Sequence, residues 1–194
     1  MTESWDDYAA GWDGNEAAIA YARKAFASLS KIVELEGLRV FDFGCGTGLL
    51  TAQMAEHAER IVAFDPSPKM VAVLKGKNLH NVDAAVEEVT ERALQRRPGF
   101  VSGFDLVVAS SVCAFLPDYR ATLELLRRLL KSDGLFIQWD WLKSSEDQEF
   151  GFTESQVAAA FQQVGLKALS VSAPFSLESD GGEMKVVMGV GQNA

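Results

Sequence analysis

Apolar residues recur at helical spacing across residues 15–36, at Ile19, Ala22, Phe26, Leu29 and Val33, which predicts a helix ended by Gly37. Residues 38–43 form a short apolar run that stops at glycines, the pattern of a buried strand. Helical spacing returns over residues 49–57. A second strand is predicted over residues 61–64, ending at Asp65-Pro66, and residues 67–74 read as a helix with Ser67 as its cap and Pro68 in its first turn. A third, weaker strand covers residues 82–86 and a fourth residues 104–109. Residues 118–131 make a strongly amphipathic helix, and Gly134 releases it into a strand over residues 135–139.

Strands alternating with helices at this spacing imply βαβ crossovers and a mostly parallel sheet. The near-continuous apolar run Leu106-Val107-Val108-Ala109 fits a sheet covered on both faces. The pattern then changes. A helix over residues 153–164 ends at Gly165 and is followed by a strand over residues 166–171, a turn at Asp180-Gly181-Gly182 and a strand over residues 184–190. Two strands without a helix between them are expected to be antiparallel neighbours or to lie apart.

The 194 residues suffice for one domain with a substantial core. The net charge of -9 is a poor footing for a phosphate backbone or an anionic membrane, so neither nucleic acid nor membrane is an expected partner. The basic doublets Arg96-Arg97 and Arg127-Arg128 read as solvated helix surface. The first residues lack a basic region followed by an apolar stretch, so no secretory signal is expected. Cys45 and Cys113 are distant from one another, which suggests reduced thiols and a cytoplasmic setting. With only two histidines besides, a His/Cys metal centre is not expected.

The sharpest chemistry lies in the loop Gly44-Cys45-Gly46-Thr47-Gly48, between a predicted strand and a predicted helix. Open parallel sheets bind ligands beyond the carboxyl ends of their strands, and glycines there let a ligand approach the main chain. The dinucleotide pattern Gly-x-Gly-x-x-Gly is not met, because the third glycine falls one position early and Leu49 stands where it is required. Asp42, two residues before the first glycine, would repel a pyrophosphate and suit an ammonium or sulfonium group. Asp65 ends the second strand, where a carboxylate can accept from ribose hydroxyls. Singly, each aspartate also has a structural reading, as a strand-end polar group or a turn former. Together around the glycine loop they favour an adenosyl ligand with a cationic tail.

The segment Val40-Phe41-Asp42-Phe43-Gly44-Cys45-Gly46-Thr47-Gly48 resembles motif I of the class I S-adenosylmethionine-dependent methyltransferases. Ile61 through Ser67, Phe104 through Ser110, and the Lys131-Ser132-Asp133-Gly134 turn with its flanks resemble the later motifs, in the family's order. The resemblance implies a Rossmann-like α/β fold with a seven-stranded, mostly parallel sheet, an antiparallel last strand and helices on both faces. It implies an N-terminal helical cap over residues 1–36 and a methyltransferase domain over residues 37–194. It places Gly44, Gly46 and Gly48 at the methionine part of S-adenosyl-L-methionine, Asp65 at the ribose and Met70 on the adenine, with Asp42, Cys45 and Pro66 also among the cofactor-binding residues. Glu87 and Glu88 both fit the acidic residue expected near the adenine amino group, with Glu88 followed by Val89 preferred; both also read as charges opening a helix. Ser110, Ser111 and Val112 should pass the cofactor's methionine end.

The acceptor side is less legible. Where relatives often carry a histidine after the fourth strand, this chain has Cys113-Ala114-Phe115-Leu116-Pro117-Asp118-Tyr119, and Asp118 reads better as a helix cap than as a base. By resemblance, Tyr8 and Trp12 are lid candidates. Phe115, Trp139 and Trp141 are candidates for the acceptor side, the two tryptophans being equally readable as packing between helix and sheet. The expected function is methyl transfer to a small-molecule acceptor, mainly by positioning and desolvation, by a monomer or homodimer. The rival functions are a non-catalytic cofactor-binding partner subunit and, against the glycine spacing, an NAD-dependent oxidoreductase.

Overall fold

The computed structural model describes residues 5–97, 100–143, 148, 150–179 and 182–194. The chain forms two compact units, Met1–Glu88 and Val89–Ala194. Seven strands form one mixed sheet in the spatial order third, second, first, fourth, fifth, seventh, sixth along the chain.

In the first unit, α1 (Trp5–Trp12) and α2 (Glu16–Leu29) precede β1 (Arg39–Phe43), α3 (Leu49–Ala55), β2 (Arg60–Asp65), α4 (Pro68–Gly76) and β3 (Val82–Val86). β1 and β3 both pair parallel with β2, so that Asp42 stands opposite Ala63 and Asp65 opposite Val86. Val40, Phe41, Ile61 and Ala63 are completely buried, as the apolar runs predicted. The N-terminal segment differs from the single helix expected over residues 15–36. Asn15 caps α2 by accepting from the Ala17 and Ala18 amides, and the helix stops at Leu29. There the Ser30 hydroxyl donates back to the Phe26 carbonyl at 3.0 Å, a side-chain competitor that weakens the helix where it occurs. α1 is an additional helix. It buries Ala9 and packs on α4, while α2 packs on α3.

In the second unit, α5 (Glu91–Arg96) leads into β4 (Phe104–Ser110), a single 3-10 turn at Cys113–Phe115, α6 (Tyr119–Leu129), β5 (Leu130–Trp141), α7 (Glu154–Gln163), β6 (Leu166–Ser179) and β7 (Gly182–Asn193). β4 and β5 are parallel, and β7 runs antiparallel to both β5 and β6. The two C-terminal strands are therefore antiparallel neighbours, both longer than the sequence pattern indicated. Of the expected turn at residues 180–182, residues 180 and 181 lie outside the described residues. Asp118 caps α6 by accepting from the Ala121 amide at 2.9 Å, and Thr153 and Gln156 form a reciprocal capping box on α7. Gly189 and Gly191 let α7 approach β7 closely: a Cβ at Gly189 would stand 2.5 Å from Val157. No helix among the described residues is long and apolar enough to cross a membrane.

Candidate functional site

The glycine loop hangs from the end of β2. The amides of Gly44 and Cys45 both donate to the Phe64 carbonyl, at 2.8 and 3.1 Å. Gly44, Gly46 and Gly48 all have positive φ, at 68°, 53° and 82°, a conformation that side chains disfavour. The last two have different surroundings. A Cβ at Gly48 would sit 2.3 Å from Leu74 of α4, whereas a Cβ at Gly46 would meet nothing within 4 Å. Gly48 is thus required by packing, and Gly46 presents bare main chain to open space.

Two carboxylates flank this loop. Asp65 is nearly buried, and its two oxygens accept from different backbone amides: Gly46 at 2.9 Å and Ser67 at 2.8 Å. It therefore ties the middle of the loop to the start of α4, and its carboxyl is raised above the usual range chiefly by burial. Asp42, 2% exposed, accepts from the Thr51 hydroxyl at 2.6 Å. Burial pushes its carboxyl up to about 7 despite that hydrogen bond, with the Asp65 charge acting in the same direction. The buried Thr47 hydroxyl in the same loop has no hydrogen-bond partner among the described residues. A partner-less buried hydroxyl, two desolvated carboxylates and an open stretch of left-handed backbone suit a ligand with hydroxyl donors and a positive charge.

Other residues singled out in this unit are distributed around that centre. Met70 is buried in α4 and Pro66 is exposed. Glu87 is half-buried and its amide donates to the Asp65 carbonyl at 3.2 Å, while Glu88 is exposed. Neither opens a helix; α5 begins at Glu91, capped by Thr90. Cys45 is half-buried, and desolvation together with the nearby Asp42 and Asp65 carboxylates holds its thiol well above the ordinary range. Tyr8 and Trp12 form a ring cluster with Trp5, centroids 5.9–6.4 Å apart, and Trp5 and Tyr8 are over 40% exposed.

The second unit contains a buried polar network that the sequence did not reveal. Asp140, 1% exposed, accepts from the Ala114 amide at 3.1 Å and from the Gln138 side-chain amide at 3.1 Å. Cys113 also hydrogen-bonds it, and the Tyr119 hydroxyl donates to Gln138. Burial raises Asp140 to about 8 against these donors. The network fixes the turn after β4, where Ser110, Ser111 and Val112 are half-buried. Ser111 holds a positive φ of 55° while its amide donates to the Trp139 carbonyl at 2.7 Å. Trp139 is completely buried and Trp141 is half-buried. Phe115 is exposed and lies 6.0 Å from the exposed Phe150, and Tyr119 stacks at a tilt on Phe152 at 4.7 Å.

An α/β fold with a carboxylate-flanked, left-handed glycine loop defines a nucleoside-binding domain, and comparison with known proteins identifies which kind. Residues 41–136 match the family model described as a methyltransferase domain. Ubiquinone biosynthesis O-methyltransferase from Xanthomonas oryzae pv. oryzae (strain PXO99A) is 33% identical over 109 residues, covering 55% of this chain and 44% of that protein. The protein of that name from Xylella fastidiosa (strain 9a5c) is 30% identical over 115 residues, with 56% and 44% covered. The chain thus spans less than half the length of these curated relatives. Among solved structures, a complex between the Haloferax volcanii Trm112 methyltransferase activator and a methyltransferase matches with a TM-score of 0.82 at 19% identity, covering 100% of this chain and 99% of that one. A SAM-dependent methyltransferase from Aquifex aeolicus matches at 0.76 and 18% identity, covering 97% and 98%. Residues 41–136 thus match a methyltransferase domain, and the fold is the one shared by the S-adenosylmethionine-dependent methyltransferases.

Proposed function

We propose that this chain transfers the methyl group of S-adenosyl-L-methionine to a hydroxyl of a small-molecule acceptor. The observation that carries the cofactor half is the pair of buried carboxylates, Asp42 and Asp65, flanking open main chain at Gly46. Asp65 would accept from the ribose hydroxyls, using lone pairs left over after its two backbone donors. Asp42 would face the cationic methionine end, with Gly44, Cys45, Gly46 and Gly48 supplying main chain. Pro66, Met70 and Glu88 would enclose the nucleoside, with Glu87 held to the Asp65 carbonyl beside them.

When bound, the cofactor supplies an already activated methyl on its sulfonium. The protein's contribution is then orientation and exclusion of water, which can account for about 7–11 kcal/mol of barrier. A hydroxyl acceptor is supported by the O-methyltransferase relatives. The exposed rings of Phe115 and Phe150, with Trp141 half-buried, support an acceptor with a flat apolar body. The acidic surface favours a small molecule over nucleic acid. The test is calorimetric titration with S-adenosylmethionine, then transfer of a labelled methyl group to a panel of catechols and other phenols. Asp65→Ala should weaken cofactor binding by about 1–3 kcal/mol, the cost of stranding a donor. Unchanged affinity would place the ribose elsewhere.

A further inference from the structure

The first unit contains a hydrogen-bonded chain that connects its N-terminal helix to the glycine loop. One oxygen of Asp6 on α1 accepts from the Ser67 hydroxyl at 2.5 Å and from the Lys69 amide at 3.1 Å. The same Ser67 hydroxyl oxygen accepts from the Met70 amide at 3.2 Å, and the Ser67 amide donates to Asp65. Asp65 in turn receives the Gly46 amide. Asp6 and Gly46 are thus separated by two residues, Ser67 and Asp65, although Asp6 and Ser67 lie 61 positions apart in sequence.

Each link has a physical reason. The first turn of a helix leaves its amides without intrahelical partners and carries a partial positive charge. Ser67 satisfies the Met70 amide, and Asp6 supplies a second cap from another helix by taking Lys69. Those donors hold the Asp6 carboxyl below its ordinary range, so it is ionised at neutral pH. By accepting the Ser67 proton, Asp6 also fixes which way that hydroxyl points. Its lone pair then faces Met70, and its proton is not free to compete for Asp65. At the far end of α4, Lys77 forms an ion pair with Asp13 at 2.7 Å, just beyond the last residue of α1. The connection between α1 and α4 is therefore made at both ends of α4.

We propose that Asp6 is a positioning residue for cofactor binding, and that it couples the docking of α1 on α4 to occupation of Asp65. The proposal rests on the reading that Asp65 holds the ribose. With α1 docked, Asp65 keeps two fixed backbone donors and turns its remaining lone pairs outward. With α1 undocked, the Lys69 amide loses its cap, the Ser67 hydroxyl is released, and the carboxylate that should meet the ribose loses its fixed surroundings. Coupling between sites is reciprocal, so a nucleoside on Asp65 must also favour the docked helix.

The test uses S-adenosylhomocysteine, the full-length chain and the variants Asp6→Ala, Asp6→Asn and Asp65→Ala. Calorimetry measures affinity, and amide hydrogen exchange measures protection of residues 5–12 with and without the nucleoside. Asp6→Ala should weaken binding on the order of tenfold, within the ordinary range of site-to-site coupling. Asp6→Asn keeps an acceptor oxygen for Ser67 and Lys69 and should restore most of the affinity; a loss of charge alone would leave both variants equally weak. In the wild type the nucleoside should slow exchange in α1, and in Asp6→Ala it should not. Wild-type affinity in Asp6→Ala, with nucleoside-dependent protection of α1 intact, would overturn the proposal while leaving the cofactor reading standing. Failure of the wild type to bind, or full affinity in Asp65→Ala, would remove the cofactor reading on which it rests.

Discussion

Asp42 provides the most demanding prediction. Its carboxyl is desolvated and titrates at about 7, far above the ordinary 3.8, so the chain without cofactor holds a proton there at slightly acidic pH. A cation bound beside it favours the ionised form, and binding must then expel that proton. With a value of about 7, about one carboxyl in eleven is ionised at pH 6 and about ten in eleven at pH 8. The affinity attributable to Asp42 should therefore fall about tenfold from pH 8 to pH 6, which is about 1.4 kcal/mol. The perturbation is Asp42→Asn, which leaves an oxygen to accept from Thr51. The assay is calorimetric titration with S-adenosylmethionine at pH 6, 7 and 8, for both proteins and in buffers of different ionisation enthalpy. Titration of the ligand is common to both proteins and cancels in their ratio. The wild-type to variant ratio should grow about tenfold across this range, and only the wild type should release the Asp42 proton on binding below pH 7. A ratio independent of pH would refute the placement of Asp42 beside the cationic end.

Asp140 should show the same chemistry as a stability effect. Its folded value of about 8 exceeds the ordinary 3.8, so the folded chain retains a proton that the unfolded chain releases, and stability falls as pH rises between these values. Urea unfolding of Asp140→Asn should lack this loss, so that the wild type declines relative to it by on the order of 2–3 kcal/mol between pH 5 and 7; parallel curves would contradict the assignment. Gly46→Val should cost little beyond the roughly 1–2 kcal/mol of left-handed backbone strain, yet abolish cofactor binding. Gly48→Ala should destabilise the fold itself, because its Cβ meets Leu74; thermal unfolding with and without S-adenosylhomocysteine separates the two. Trp139→Ala should destabilise by about 3–5 kcal/mol as a cavity in a packed core, and a variant that kept wild-type stability while losing only acceptor binding would reverse the packing reading.

The strands and the glycine loop were legible because their signals are local. A strand buried on both faces is a short apolar run, and a loop that must turn left-handed three times within five residues shows its glycines. The paired aspartates were legible for the same reason, each ending a strand that the apolar pattern delimits. Boundaries were harder. The helical spacing of residues 118–131 runs past the end of α6 at Leu129, because Leu130 is as buried as the helix's own apolar face while already belonging to β5. A left-handed residue, Asp133 at φ 63°, then lies within that strand. α1 and the short α5 give weak signals because each is eight residues or fewer, too short for a clear periodicity.

Partnerships across the chain were not legible at all. Asp6 looks like one of several acids near the start of the sequence, and only the fold brings it to Ser67. Strand alternation puts Asp140 on the face opposite Trp139, but it cannot say that Asp140 is fully buried or that the Ala114 amide and Gln138 converge on it. Alternation likewise could not distinguish Trp139 as core from Trp139 as part of an acceptor surface, since both readings put it on the same face.

The central claim is that Asp42 and Asp65 select a nucleoside with a positively charged tail. A crystal structure with S-adenosylhomocysteine bound tests it most directly. The ribose hydroxyls should lie within hydrogen-bond distance of Asp65, the main chain at Gly46 should touch the ligand, and the amino end should lie on the Asp42 side. A nucleoside bound away from both carboxylates, with Gly46 still facing open solvent, would contradict the account.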